Sequence, residues 1–191
     1  MAGQKIRNIV PPNLPVAPAQ YERRYQDQFS NVIRLFFNLI ANAANAPKPH
    51  GSFYDDRTQT NPVPGAVNLM TVNNAYDDAE TVFGISRDTN RIYFSETGVY
   101  NIQFSAQLDK TGGSASDVYI WIRVNGNNIP HSASKVVIDG PNSEIIAAWN
   151  WVLTLSEGDY IEIAWQSADP NVILLAAPAS GNIPQIPSVI I

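Results

Sequence analysis

From residue 67 onward, apolar and polar positions alternate in short runs broken by turn signals. The sharpest run is 92–108, IYFSETGVYNIQFSAQL. Beyond Gly98, residues Tyr100, Ile102, Phe104, Ala106 and Leu108 fall on one side and Asn101, Gln103, Ser105 and Gln107 on the other. A period of two is that of a half-buried β-strand. Ser95-Glu96-Thr97-Gly98 supplies a polar turn, where Gly98 can take a positive φ without steric cost. The same pattern predicts strands over 67–72, 82–86, 92–94, 98–109, 118–125, 134–137, 145–155, 160–167 and 172–177. Clusters such as Asn125-Gly126-Asn127-Asn128 and Glu157-Gly158-Asp159 separate them. Short strands at this spacing predict a mainly β fold, an antiparallel jelly-roll sandwich over 67–191.

Two strands are apolar on both faces. In 117–124, DVYIWIRV, Val118, Ile120, Ile122 and Val124 form one face, and Tyr119 and Trp121 lie on the other. In 145–155, IIAAWNWVLTL, the face of Ile145, Ala147, Trp149, Trp151, Leu153 and Leu155 is backed by Ile146, Ala148 and Val152 with Asn150 and Thr154. A sheet facing water shows polar residues on its second face. Tyr and Trp favour interfaces, so Tyr119 and Trp121 are read as the sheet part of a subunit interface.

The period changes before the sandwich. Residues 19–46 carry no glycine or proline, and Tyr25, Phe29, Val32, Phe36, Leu39 and Ala43 step by 4, 3, 4, 3 and 4. That is coiled-coil spacing. Tyr21, Ile33, Phe37 and Ile40 widen the stripe. A wide stripe suits a three-helix bundle or a helix docked on its own domain. We therefore expect an amphipathic helix that forms a trimeric coiled coil through Tyr25, Phe29, Val32, Phe36 and Leu39. Residues 1–18 hold four prolines and read as an extended arm, whose Ile6, Ile9, Val10, Leu14 and Val16 would lie along a partner surface. Residues 47–66, with four more prolines, read as a linker that includes a short edge strand over 52–57.

Composition narrows the functional classes. There are no cysteines, so neither disulfides nor thiolate metal sites exist. Six basic and two acidic residues fall within 1–50, against six and fifteen within 51–191. A globular part so acidic is a poor nucleic-acid binder. Neither a leader-like apolar core nor a membrane-length apolar run is present, so no membrane contact is expected.

Candidate chemistry is sparse. His50 and His131 are the only histidines, and no Ser–His–carboxylate order is readable. Asp77, Asp78 and Glu80 are the best oxygen ligands for a divalent cation, but their spacing matches no defined calcium loop. Gly112-Gly113 lacks the lysine and helix of a phosphate loop. No enzyme activity, metal or cofactor is expected.

Three motifs carry a resemblance. Residues 94–104, FSETGVYNIQF, 118–126, VYIWIRVNG, and 155–161, LSEGDYI, resemble successive strands and hairpins of the trimeric jelly rolls of the tumour necrosis factor and complement globular-head superfamily. The resemblance spans about 51–177 and implies a ten-strand sandwich with an inner sheet around a three-fold axis. The collagen-type stalk of the complement branch is missing. The arm and helix instead resemble those of small structural proteins of tailed bacteriophages. That resemblance implies a homotrimeric capsid decoration or head-fibre protein, assembled in the host cytoplasm and located in the virion. Its partners would be itself and the major capsid protein or another virion protein. The alternative is a fibre-tip module that binds a receptor or host surface glycan through loops such as 112–117 or 126–133.

Overall fold

The computed structural model describes residues 9–45, 48–76 and 82–191. The chain divides into two compact units, Met1–Lys48 and Pro49–Ile191. The first contains α1 (Arg23–Ala44), within the expected span of 19–46. Glu22 is still extended, and Asn45 closes the last turn by donating its N–H to Ala41 O. Residues 9–18 carry no regular structure.

The second unit is all β: β1 (Phe53–Asp55), β2 (Asn68–Leu69), β3 (Asn74–Ala75), β4 (Ile85–Arg87), β5 (Ile92–Phe94), β6 (Gly98–Lys110), β7 (Ser116–Val124), β8 (Asn127–Asn128), β9 (Ser134–Ile138), β10 (Ser143–Leu155), β11 (Tyr160–Ser167), β12 (Val172–Leu174) and β13 (Val189–Ile190). One sheet runs β10-β6-β13-β1-β3, with β12 also on β6. The other runs β4-β5-β11-β7-β8, with β2 also on β11 and β9 on β7. All pairings are antiparallel. The chain crosses between sheets from β5 to β6, β6 to β7, β9 to β10 and β10 to β11, so long-range pairing builds a jelly-roll sandwich.

The alternation read from the sequence is the burial pattern. Ile102, Phe104, Ala106 and Leu108 of β6 are buried, and they face Ile120, Ile122, Ile163 and Trp165 of the other sheet across the core. Trp151 stacks on Phe104 with ring centroids 5.0 Å apart, while Trp149 meets the same ring edge-on at 4.7 Å. Asn125 and Gly126 both take positive φ, 51° and 78°, which is the two-residue hairpin backbone that Asn-Gly favours. Gly98 does not need that freedom. It pairs with Leu155 as the first residue of β6, and a Cβ there would stand 3.3 Å from the Tyr100 ring.

The expected linker is corrected. From Pro49 on, the chain belongs to the sandwich unit. β1 lies inside its sheet between β13 and β3, not at an edge, and Phe53 and Asp55 are buried. Gln59 and Leu174 exchange main-chain bonds at 2.9 Å, and buried Asn61 donates to Ser167 O at 2.8 Å. The prolines flank Phe53–Asp55 without interrupting it, so its amides remain free to pair. The structure adds β3, β8 and β13, each only two residues long, below the length at which alternation is readable. The expected strand over 82–86 shifts to Ile85–Arg87, because Gly84 turns at φ 65°.

Candidate assembly surface

β6 and β10 form a thirteen-residue ladder without a bulge, from Gly98↔Leu155 to Lys110↔Ser143. Its inner side builds the core. On its outer side Val99, Asn101, Gln103, Ser105 and Gln107 stand opposite Thr154, Val152, Asn150, Ala148 and Ile146. None of these ten side chains is charged, but the next pair on the same side, Asp109 opposite Glu144, closes that end of the face with two carboxylates. Val99, Ile146 and Val152 are 71%, 63% and 62% exposed. Asn150 Nδ2 donates to Asn101 Oδ1 at 2.7 Å, so the amides are partly satisfied by one another. Ile190 extends this face, and Tyr54 carries it to Tyr76, whose ring centroid is 4.8 Å away. A solvent-facing sheet normally carries lysine and glutamate, which discourage association. A stretch of ten uncharged side chains that includes exposed β-branched residues, with its acids confined to one end, is suited to burial against another protein surface.

The two residues expected at the sheet interface, Tyr119 and Trp121, differ in their exposure, 40% against 9%. Both residues lie on β7, in the other sheet. Trp121 is buried by its own chain, at 9% exposure, and its Nε1 donates to Asn128 Oδ1 at 2.8 Å. Nearby, Glu162 is buried between Arg91 (3.1 Å) and Arg123 (3.4 Å). Tyr119 does reach solvent, but its flank is charged: Lys135 pairs with Asp117 at 2.7 Å and lies 6.0 Å above the Tyr119 ring. Two-faced apolarity marked both β7 and β10, and only the tertiary fold separates them.

The helical unit offers a second apolar surface. Tyr25 and Phe29 stack at 6.2 Å along the seam, and Leu35 and Phe37 are exposed. α1 has no side-chain N-cap, no acid in its first turn and no base in its last, while Arg23 and Arg24 sit at its positive end. Such ends disfavour an isolated helix, so its stability must come from packing. In the arm, Val10, Leu14 and Val16 are exposed and Ile9 is partly so; Ile6 lies outside the described residues.

At one end of the sandwich Lys110 is fully buried. Its ammonium contacts Asp169 and donates to Ser116 Oγ at 2.6 Å, and Ser116 Oγ donates to Asp169 Oδ2 at 2.7 Å. The lysine holds the Asp169 carboxyl well below the usual range, helped by the Asn171 amide. Asp55 is similar: burial raises its pKa, but bonds from Arg57 and Thr71 more than offset this and lower it. Both acids are structural clips. Asp77, Asp78 and Glu80 lie outside the described residues. No metal-ligand cluster occurs among the described residues, and no helix among them is long and apolar enough to cross a membrane.

No family model matches the chain, and no curated protein matches it. Among solved structures, the chain is similar to the crystal structure of murine APRIL at 10% identity, with a TM-score of 0.43 over 73% of this chain and 93% of that one.

Proposed function

We propose that this chain is a structural protein that assembles as a homotrimer through the outer face of β6 and β10 and through α1. The observation that supports this reading is the uncharged stretch of the outer face bearing Val99, Ile146 and Val152, three exposed β-branched residues. At ~25 cal/mol per Å² of apolar surface, a few hundred Å² per chain contributes several kcal/mol, and closed symmetry repeats it. The particle in which it assembles is a tailed-bacteriophage virion, as a capsid decoration or head-fibre protein. The support for that step is the chain's organisation: a proline-rich arm with exposed Leu14 and Val16, a helix without a side-chain N-cap, and a separate acidic sandwich. The arm and helix anchor the protein to the major capsid protein or another virion protein, and the sandwich projects.

Mass in solution tests the assembly. Three times the 21.0 kDa of the chain is expected, and a monomer at high concentration overturns it. Removing residues 1–46 is expected to leave a folded sandwich that no longer decorates particles.

A second reading, a glycan-binding fibre tip, is favoured by one feature. Tyr119 presents its ring beside a depression of about 610 Å³ lined by Ser116, Asp117 and Asp169. An aromatic face next to carboxylates suits a sugar ring. A glycan-array signal lost in Tyr119→Ala supports it, and an array without signal removes it.

A further inference from the structure

β12 and β13 lie on one flank of β6 and follow one line: Leu174 pairs with Leu108, and Val189 with Ala106. Gln107 alone separates those two β6 positions, yet residues 175–188 stand opposite it. Leu175 donates its N–H to Gln107 O at 2.7 Å, and Gln107 donates its own to Ser188 O at 2.9 Å. On the far side, Ala176 N–H donates to Thr58 Oγ1 at 3.1 Å, and Ser188 N–H donates to Asp55 O at 2.8 Å. Beneath, Leu108, Val172, Leu174 and Val189 are buried in the core. With chain on both sides and core below, this excursion leaves by the outer face of the sheet. It is built as a hairpin. Ala177 and Ile186 exchange main-chain bonds at 2.9 Å, and Ser180 and Ile183 at 3.0 Å. Gly181 turns near the tip at φ 59°. Pro178, Pro184 and Pro187 cannot donate, so the hairpin is ill suited to extend another sheet. No residue over 171–191 is charged, and Ile183 and Ile186 are exposed. Two isoleucines held out on a preformed hairpin lose little freedom when a partner buries them.

We propose that the hairpin over 177–186 packs on the outer β6–β10 face of a second copy. The inference rests on the self-assembly proposed above and names the other half of its contact. A closed ring of three is heterologous, so the face of one copy meets a different patch on the next. The hairpin rises opposite Gln107 and so borders that face. Its lack of charge matches the uncharged stretch that bears Val99, Ile146 and Val152. The outer side of the other sheet is a poorer match, since Lys135 and Asp117 flank Tyr119 there. Burial of Ile183 against β-branched side chains of the next copy gives one apolar contact per chain, repeated around the ring.

The chain has no cysteine, so Ile183→Cys carries a single thiol. In the full-length protein that thiol takes a benzophenone maleimide, and the labelled chain is co-assembled with isotopically heavy native chain and irradiated. Cross-links from position 183 to residues 98–107 or 143–155 of the heavy chain are expected. Ile183→Lys changes an exposed position, so the β signal of the sandwich is expected to persist. Assembly is expected to weaken by about tenfold or more, read as the concentration at which the mass in solution falls. An assembly of unchanged mass, unmoved by Ile183→Lys and without those cross-links, overturns the hairpin contact and leaves the trimer standing. Cross-links confined to the labelled chain overturn the second copy as its partner. A monomeric native chain removes both.

Discussion

Lys110 and Asp169 form an ion pair in which the two partners are unequally hidden: the lysine side chain has no exposure, and the aspartate side chain keeps 16%. The pair closes one end of the sandwich by tying the last residue of β6 to the turn between β11 and β12. Its asymmetry decides what each substitution does. Asp169→Ala strands a buried ammonium, and breaking a buried pair in that way costs about 3–5 kcal/mol. Lys110→Met leaves a carboxylate that water can reach, so a smaller loss is expected. Urea midpoints of the two variants check the order.

Acid should reveal the same pair. The pKa of Asp169 is lowered by folding, as is that of Asp55, so the folded chain takes up these protons less readily than the unfolded one. Their stabilisation is fully present above the ordinary aspartate value of 3.8 and is lost as pH falls below it toward the depressed folded values. Melting temperature is expected to fall over that window, and to fall less in Lys110→Met.

The outer face of β6 and β10 gives a separation of folding from assembly. Val152→Glu places a charge on an exposed position, where surface changes usually alter stability by no more than about 0.5 kcal/mol. The β signal of the folded sandwich should persist while the mass in solution drops toward that of one chain, and the denaturation midpoint should fall by the stabilisation that assembly supplied. Tyr119→Glu, on the other sheet, should leave the mass unchanged. Light scattering on the pair of variants compares them.

Trp121 should behave in the opposite way. Trp121→Ala removes a buried indole and its bond to Asn128, so a loss of about 3–5 kcal/mol is expected. The folded fraction should keep its oligomeric mass. A change of mass without a change of stability would return Trp121 to the interface.

The helix supplies the last prediction. Phe36→Asp puts a charge in the apolar seam of a helix whose ends do nothing to hold it. Circular dichroism should lose the signal of a 22-residue helix, while the β signal of the sandwich persists.

Much of the architecture is written in local pattern. A period of two over 98–108 and 145–155 is enough to place β6 and β10, because side chains alternate across any strand whatever its neighbours. Asn125-Gly126 specifies its hairpin, because few residues accept two consecutive positive φ angles. The 4–3 spacing from Tyr25 to Ala43 sets a helix with one apolar stripe. Pairing partners are another matter. The sequence could not say that Phe53–Asp55 lies inside a sheet, or that Val189–Ile190 joins β1 to β6, since two or three residues carry no period and the partners of Val189–Ile190 are more than eighty positions away. Nor could it rank two strands that are apolar on both sides. Tertiary packing covers Trp121 with its own chain and leaves Val99, Ile146 and Val152 in the open, because burial depends on which surfaces the fold brings together and not on what each residue prefers.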